Sequence, residues 1–245
     1  MSKTLGIIGG MGPLATVNLF NKIVLNTDAQ NDQEHIHILI DSNTNIPDRT
    51  AFLLGKGKDP TEELIKSAIR LEKAGADFLI MPCNTAHYFY ETIKEKINID
   101  FLNLIEETAK YVQSNYPNIK KIGLLSTDGT LKAKIYDLYF NRQNIQVISP
   151  EREMQNSIME IIYGIKAGKK EIKIDAIYNT IEELKTKGAE VFILGCTELS
   201  IINEMFNLEK NLADVKNAGD AVHIVDAVNV IVEKAIGFAG KKVLK

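Results

Sequence analysis

The chain has 245 residues, a net charge of −3 and an apolar fraction of 45%. That length allows one large globular domain or two smaller ones, and the slight acidity supplies no basic field for nucleic acid. No run approaches the ~18 apolar residues of a membrane helix, and no charged start leads into a long apolar stretch. A soluble, cytoplasmic protein with two reduced cysteines is therefore expected.

In chain order, residues 4–8 predict a short strand. Gly9-Gly10-Met11-Gly12-Pro13 follows, with Pro13 suited to the first turn of a helix over 14–26. Gly10, Gly12 and Ala15 match a dinucleotide pattern, but the acidic residue that should follow the second strand, Asp41, comes too late. The glycines fit better the close approach of an anion, carboxylates included, to a helix N-terminus. A strand over 36–40 leads into a polar stretch, 41–50, where α/β folds place ligands. Within it, Arg49 is a candidate to grip a carboxylate by two parallel hydrogen bonds, or else a solvated loop residue or the partner of Asp48. Residues 55–60 read as a mobile loop, a candidate lid, before a helix over 63–74.

A buried strand then ends in Pro82-Cys83-Asn84-Thr85-Ala86-His87. Asn84 and Thr85 are helix-capping types. His87 lies one turn past Cys83 and is either an acid–base group or a satisfied structural histidine. A weak strand over 100–104 and a helix over 105–116 follow. A strand over 121–126 mirrors the first, and Thr127-Asp128-Gly129-Thr130 opens a helix reaching 141, as a ligand cradle or a plain cap. After a strand over 146–148 and a helix over 151–163, Lys166 is either a second cation at the site or a lysine complementing a helix dipole. A helix over 176–187 precedes Val191-Phe192-Ile193-Leu194-Gly195-Cys196-Thr197-Glu198. A helix over 221–238 and a solvated basic tail close the chain.

Cys83 and Cys196 are the only cysteines, 113 residues apart. The same offset lays Leu71 on Leu184, Gly75 on Gly188, Ala76 on Ala189, Asp77 on Glu190 and Ile80 on Ile193. Both stretches read as helix, glycine stop, buried strand, cysteine, so the chain reads as two copies of one α/β unit. A buried cysteine is by itself an ordinary small hydrophobe. Zinc would need more ligands at short spacing than the sequence offers. Two thiols at strand ends beside helix N-termini are placed to form thiolate. Brought face to face by a pseudo-twofold, they would make a symmetric acid–base pair, one removing a proton from a tetrahedral carbon and the other returning one to the opposite face.

Gly9-Gly10-Met11-Gly12-Pro13, Asn45-Ile46-Pro47-Asp48-Arg49, Pro82-Cys83-Asn84-Thr85-Ala86-His87 and Gly195-Cys196-Thr197-Glu198-Leu199 resemble the signature blocks of the aspartate/glutamate racemase family. The branch they match is the aspartate racemases, which use no pyridoxal phosphate; glutamate racemases proper begin with an Asp-Ser-Gly type motif that is absent here. The resemblance implies two similar Rossmann-like α/β domains with parallel sheets and an active site in the cleft between them. The expected division is 1–103 with 211–245, carrying Cys83, and 104–210, carrying Cys196. It implies Cys83 and Cys196 as catalytic acid/bases, and Arg49 and Lys166 as cations for the substrate's carboxylates. Met11, Asn84, Thr85, Thr127 and Thr197 would line the α-carboxylate and amino group. No cofactor and no metal are implied. The expected partners are an acidic amino acid and a second copy of the chain, with no nucleic acid and no membrane. Two alternatives stay open: an enzyme of the same scaffold acting on glutamate, a hydantoin or maleate, and a small-molecule binding protein with inert cysteines. A redox module is disfavoured, because it needs sulfurs close enough to bond.

Overall fold

The computed structural model describes residues 2–169, 171–208, 210–211 and 222–244. Two compact units divide the chain, 1–107 with 228–245, and 108–227.

The first unit opens with β1 (Leu5–Gly9), every residue of which is buried. It continues with α1 (Pro13–Asn26), β2 (Ile38–Ser42), α2 (Arg49–Leu53), α3 (Thr61–Lys73), β3 (Phe78–Ile80), α4 (Tyr90–Lys94), β4 (Asp100–Phe101) and the start of α5 (Leu104–Asn115). Pro13 takes the first helical position of α1, where its missing N–H costs nothing. The strands form a parallel sheet in the order β2-β1-β3-β4, with Leu5 opposite both Ile38 and Phe78. The chain leaves β1 toward β2 and returns on the other side to β3. The C-terminal ends of β1 and β3 therefore flank the point where the strand order reverses, which is where such sheets bind ligands.

The second unit repeats this plan. It contains β5 (Lys121–Ser126), α6 (Asp128–Ala133), α7 (Ile135–Phe140), β6 (Gln146–Ile148), α8 (Arg152–Lys166), α9 (Ile174–Thr186), β7 (Val191–Gly195), α10 (Thr197–Phe206) and β8 (His223–Asp226). Its sheet is parallel in the equivalent order, β6-β5-β7-β8. The chain then enters α11 (Ala227–Phe238), most of which belongs to the first unit.

The internal repeat holds at the level of single side chains. In α3 the buried face is Leu64, Ser67, Ala68 and Leu71; in α9 it is Ile177, Thr180, Ile181 and Leu184. This is the spacing of one helical stripe laid on a sheet. Both helices end alike. Gly75 and Gly188 adopt φ of +98° and +88°, and the next residue's N–H reaches back to Leu71 and Leu184 respectively. This is the left-handed helix stop that favours glycine. The acids that follow are also equivalent, Asp77 accepting from the Thr4 N–H and Glu190 from the Lys120 and Lys121 N–H groups. A Cβ on Gly6 would lie 3.3 Å from Leu71 of α3, and one on Gly123 would lie 3.0 Å from Leu184 of α9, so each helix lies tightly on its first strand.

Three expectations change. The stretch read as one helix over 221–238 is β8 followed by α11, and the predicted start at 221 lies outside the described residues. The β-branched run of β8 finds a partner in β7, a long-range pairing that overrides helical periodicity. That pairing also keeps 223–226 with the second unit, so the chain returns to the first at 228 rather than 211. The helix expected to open at 127–130 and reach 141 does start there, at Asp128, but is broken at Lys134, whose φ is +52°.

Candidate active site

In the first unit the site residues gather at the C-terminal ends of β1 and β3. Gly10 has φ +88°, and a Cβ there would lie 2.4 Å from the Asn43 backbone. Thr16 Oγ1 accepts from the Gly10 N–H at 2.9 Å and donates to the Gly12 carbonyl at 3.0 Å, fixing the loop that carries the buried Met11.

Arg49 opens α2 and is only 7% exposed. Its Nη1 donates to the carbonyls of Pro47 (2.9 Å) and Ile46 (3.3 Å), and its Nη2 to that of Met11 (3.4 Å). Its Nε is buried with no hydrogen-bond partner. Asp48 does not pair with it; that carboxylate caps α2, accepting from the Ala51 N–H at 2.6 Å. A buried cation held by carbonyls alone, without a counter-charge among the described residues, is expensive unless an anion arrives.

Cys83 is buried and shares a hydrophobic cluster with Met11, Ile46 and Ala86. Pro82, which lacks an N–H, separates it from β3. The chain continues as a 3₁₀ turn, Thr85–Phe89, rather than an α-helix. Asn84 already has helical dihedrals and makes no capping bond, so the expected cap is not formed, although Asn84 and Thr85 are both buried beside Cys83. His87 resolves as structural. Its Nδ1 lies 3.0 Å from the Cys83 carbonyl, and its Nε2 accepts from the Leu104 N–H at 3.1 Å. This network assigns the proton to Nδ1. Burial pulls the ring's pKa down to about 4, against weaker support from the backbone of Cys83 and Asn84. His87 braces the Cys83 turn as a neutral ring.

In the second unit, Thr127 follows β5 and caps α6, its Oγ1 accepting from the Thr130 N–H at 3.2 Å. Cys196 follows β7 directly and occupies the N-cap of α10. Thr197, buried beside it, donates through Oγ1 to Glu198 Oε2 at 3.1 Å. The Cys196 thiol donates to the same oxygen at 2.9 Å. Lys166, the last residue of α8, places Nζ 5.1 Å from the Tyr163 ring centre and lies within electrostatic reach of Cys196. Burial pushes the Cys196 thiol well above its usual range, and the Glu198 carboxylate adds to this; Lys166 and the Glu198 N–H pull the other way. The helix end therefore acts in the expected direction but is outweighed by desolvation and a neighbouring carboxylate.

Glu198 is the residue that reading the sequence passed over. Its only signal was an acid two positions past Cys196 in the first turn of a helix, where a carboxylate is ordinarily explained by the dipole. A hollow of about 470 Å³ beside the end of α8, lined by Glu160, Tyr163, Lys169 and Glu171, contains none of the predicted site residues. No helix among the described residues is long and apolar enough to cross a membrane.

Each unit thus ends its two central strands in the same kind of chemistry: a loop or hydroxyl after the first, a buried cysteine after the second. The structure resembles that of Picrophilus torridus aspartate racemase, with a TM-score of 0.81 and 29% identity over 99% of this chain and 96% of that one. It shares its fold with an aspartate racemase homologue from Pyrococcus horikoshii, with a TM-score of 0.71 and 24% identity over 97% of this chain and 99% of that one. In sequence it is 30% identical to a broad-specificity amino-acid racemase of Bacillus subtilis over 217 residues, 86% of this chain and 92% of the relative. The Asp/Glu/Hydantoin racemase profile matches residues 8–235, and the chain belongs to that family.

Proposed function

We propose that the protein is a cytoplasmic, cofactor-independent racemase that interconverts L- and D-aspartate by proton transfer at Cα between Cys83 and Cys196. The observation that carries this reading is that two equivalent parallel sheets each deliver a buried cysteine to their strand-order reversal. In the proposed reaction one thiolate takes the α-hydrogen as a proton. The C–H electron pair remains on Cα and spreads into the α-carboxylate. The opposite thiol then gives its proton to the other face, leaving the sulfurs with exchanged protonation. The α-proton is a very weak acid, so the developing charge needs fixed donors, a role for the backbone amides after each cysteine. Arg49 supports an acidic substrate, since its buried guanidinium meets no carboxylate among the described residues. Lys166 is proposed as the second cation. Met11, Asn84, Thr85, Thr127 and Thr197 are proposed to surround the amino group and α-carboxylate.

L-Aspartate incubated with the protein in deuterium oxide should lose optical rotation while gaining deuterium at Cα. L-Glutamate in parallel measures the preference between the two acids. Neither rotation loss nor deuterium uptake with either acid would leave a binding protein as the better reading.

The proposal includes a homodimer. The exposed side of α1 carries Leu14, Val17, Phe20 and Leu25, at 53%, 62%, 40% and 63% exposure. The helix's one charged residue, Lys22, is buried and donates to Asn229. An apolar, uncharged face meets its own copy across a twofold axis without like-charge repulsion. Val17→Glu combined with Leu25→Glu should halve the mass measured by light scattering; an unchanged mass moves the interface elsewhere.

A further inference from the structure

We propose that Glu198 is a positioning residue that holds Cys196 as the protonated member of the thiol pair, so that the two cysteines enter the reaction unequal. The inference rests on the racemase reading above and adds a residue to it.

The geometry is specific. Glu198 is 3% exposed, and its Oε2 accepts from two neighbours on its own turn, the Cys196 thiol at 2.9 Å and the Thr197 hydroxyl at 3.1 Å. A carboxylate in that position can only accept, so the hydrogen in the short contact belongs to sulfur. Thiolate at Cys196 would place two negative charges at hydrogen-bond distance in a buried site, which is strongly unfavourable. The surroundings do not cancel this. Lys166 from α8 favours thiolate at Cys196 but is outweighed. Tyr136 from α7 is fully buried, and its phenol is pushed up chiefly by burial, with the Asp226 carboxylate adding to it, so it is a neutral neighbour. Asp226, at the end of β8, is occupied by the Ser200 hydroxyl at 2.6 Å and adds further negative charge.

The equivalent turn after Cys83 is built differently. There the neighbouring titratable group is His87, a neutral ring turned to the Cys83 carbonyl, and no carboxylate lies within hydrogen-bond distance of the Cys83 sulfur among the described residues. The near-symmetric fold thus carries an asymmetric pair. Cys196 enters the reaction as the proton donor. Glu198 also locks the thiol's rotamer, because Sγ must face Oε2 for the bond to form.

The test reads the sulfurs directly. Wild type and Glu198→Gln, free of substrate, are alkylated with iodoacetamide across a pH series, and peptide masses report Cys83 and Cys196 separately. Removing the carboxylate's charge should lower the Cys196 midpoint by about one pH unit or more, a tenfold gain in thiolate at fixed pH, while leaving Cys83 in place. A Cys196 midpoint within a few tenths of a unit of wild type overturns the proposal, as does an equal shift at both cysteines. If Glu198→Gln does not fold, Glu198→Asp serves: the shorter carboxylate withdraws from the thiol, and an unmoved midpoint is again fatal. A residue that only packs would change the melting temperature and leave the midpoint alone. The racemase reading fails separately, through absence of Cα deuterium in wild type, a result on which the alkylation midpoint does not depend.

Discussion

Cys83→Ala and Cys196→Ala should each lower aspartate racemisation by about 10²- to 10⁴-fold, the usual worth of a positioned acid or base. The side chains are small and buried, and loss of one sulfur leaves only a small void, so both variants should fold. Because L- and D-aspartate have equal free energy in water, kcat/KM must fall equally in the two directions for each variant. What distinguishes the variants is exchange without inversion. A protein with one remaining sulfur can still remove and return a proton on a single face. Cys196→Ala should therefore place solvent deuterium into one antipode without changing its rotation, and Cys83→Ala into the other. Polarimetry with mass measurement of Cα deuterium separates the two events. Racemisation within about twofold of wild type in either variant would end the two-thiol mechanism.

Arg49→Ala should lower kcat/KM for aspartate by about 30- to 700-fold, corresponding to about 2–4 kcal/mol for truncating one member of a buried, hydrogen-bonded charge pair. Arg49→Lys should recover little of this, because an ammonium has no planar fork for a carboxylate. The guanidinium is anchored at Pro47, Ile46 and Met11 with Nε unmatched, so its orientation is set before any ligand arrives and little ordering remains to be done on binding. Alanine, which lacks a side-chain carboxylate, is the control: whatever slow turnover wild type shows with it should be insensitive to Arg49. An equal loss with aspartate and alanine would mean that Arg49 supports the loops rather than the substrate.

The two thiols illustrate how equivalence in sequence becomes difference in chemistry. The shared register at 113 residues places both cysteines after buried central strands of matching sheets. Yet Pro82 intervenes before Cys83, and a 3₁₀ turn follows it, whereas Cys196 caps a ten-residue α-helix. The partial charge of a helix end is correspondingly stronger at Cys196, and the same first turn brings the carboxylate that opposes it. Reading each cysteine by its position beside a helix start captured one of these effects and not the other.

What the amino-acid order determined by itself was everything carried by local spacing. The buried stripes of α3 and α9, the glycines that end them and the cysteines that follow are each written within a few helical turns or one strand and recur together 113 residues later, and such signals are complete before the chain folds. The tertiary structure alone decided the rest. It made 223–226 a strand, because β7 was there to pair with it. Among the described residues it left Arg49 without a carboxylate, because Asp48 turned to cap α2. It set the state of Cys196, because burial and Glu198 together outweigh Lys166. Strand pairing and desolvation depend on which groups from distant parts of the chain are excluded from water together, which no window along the sequence contains; Asp48 and Glu198 are neighbours in sequence of the groups they meet, but only the folded turn shows which group each carboxylate takes.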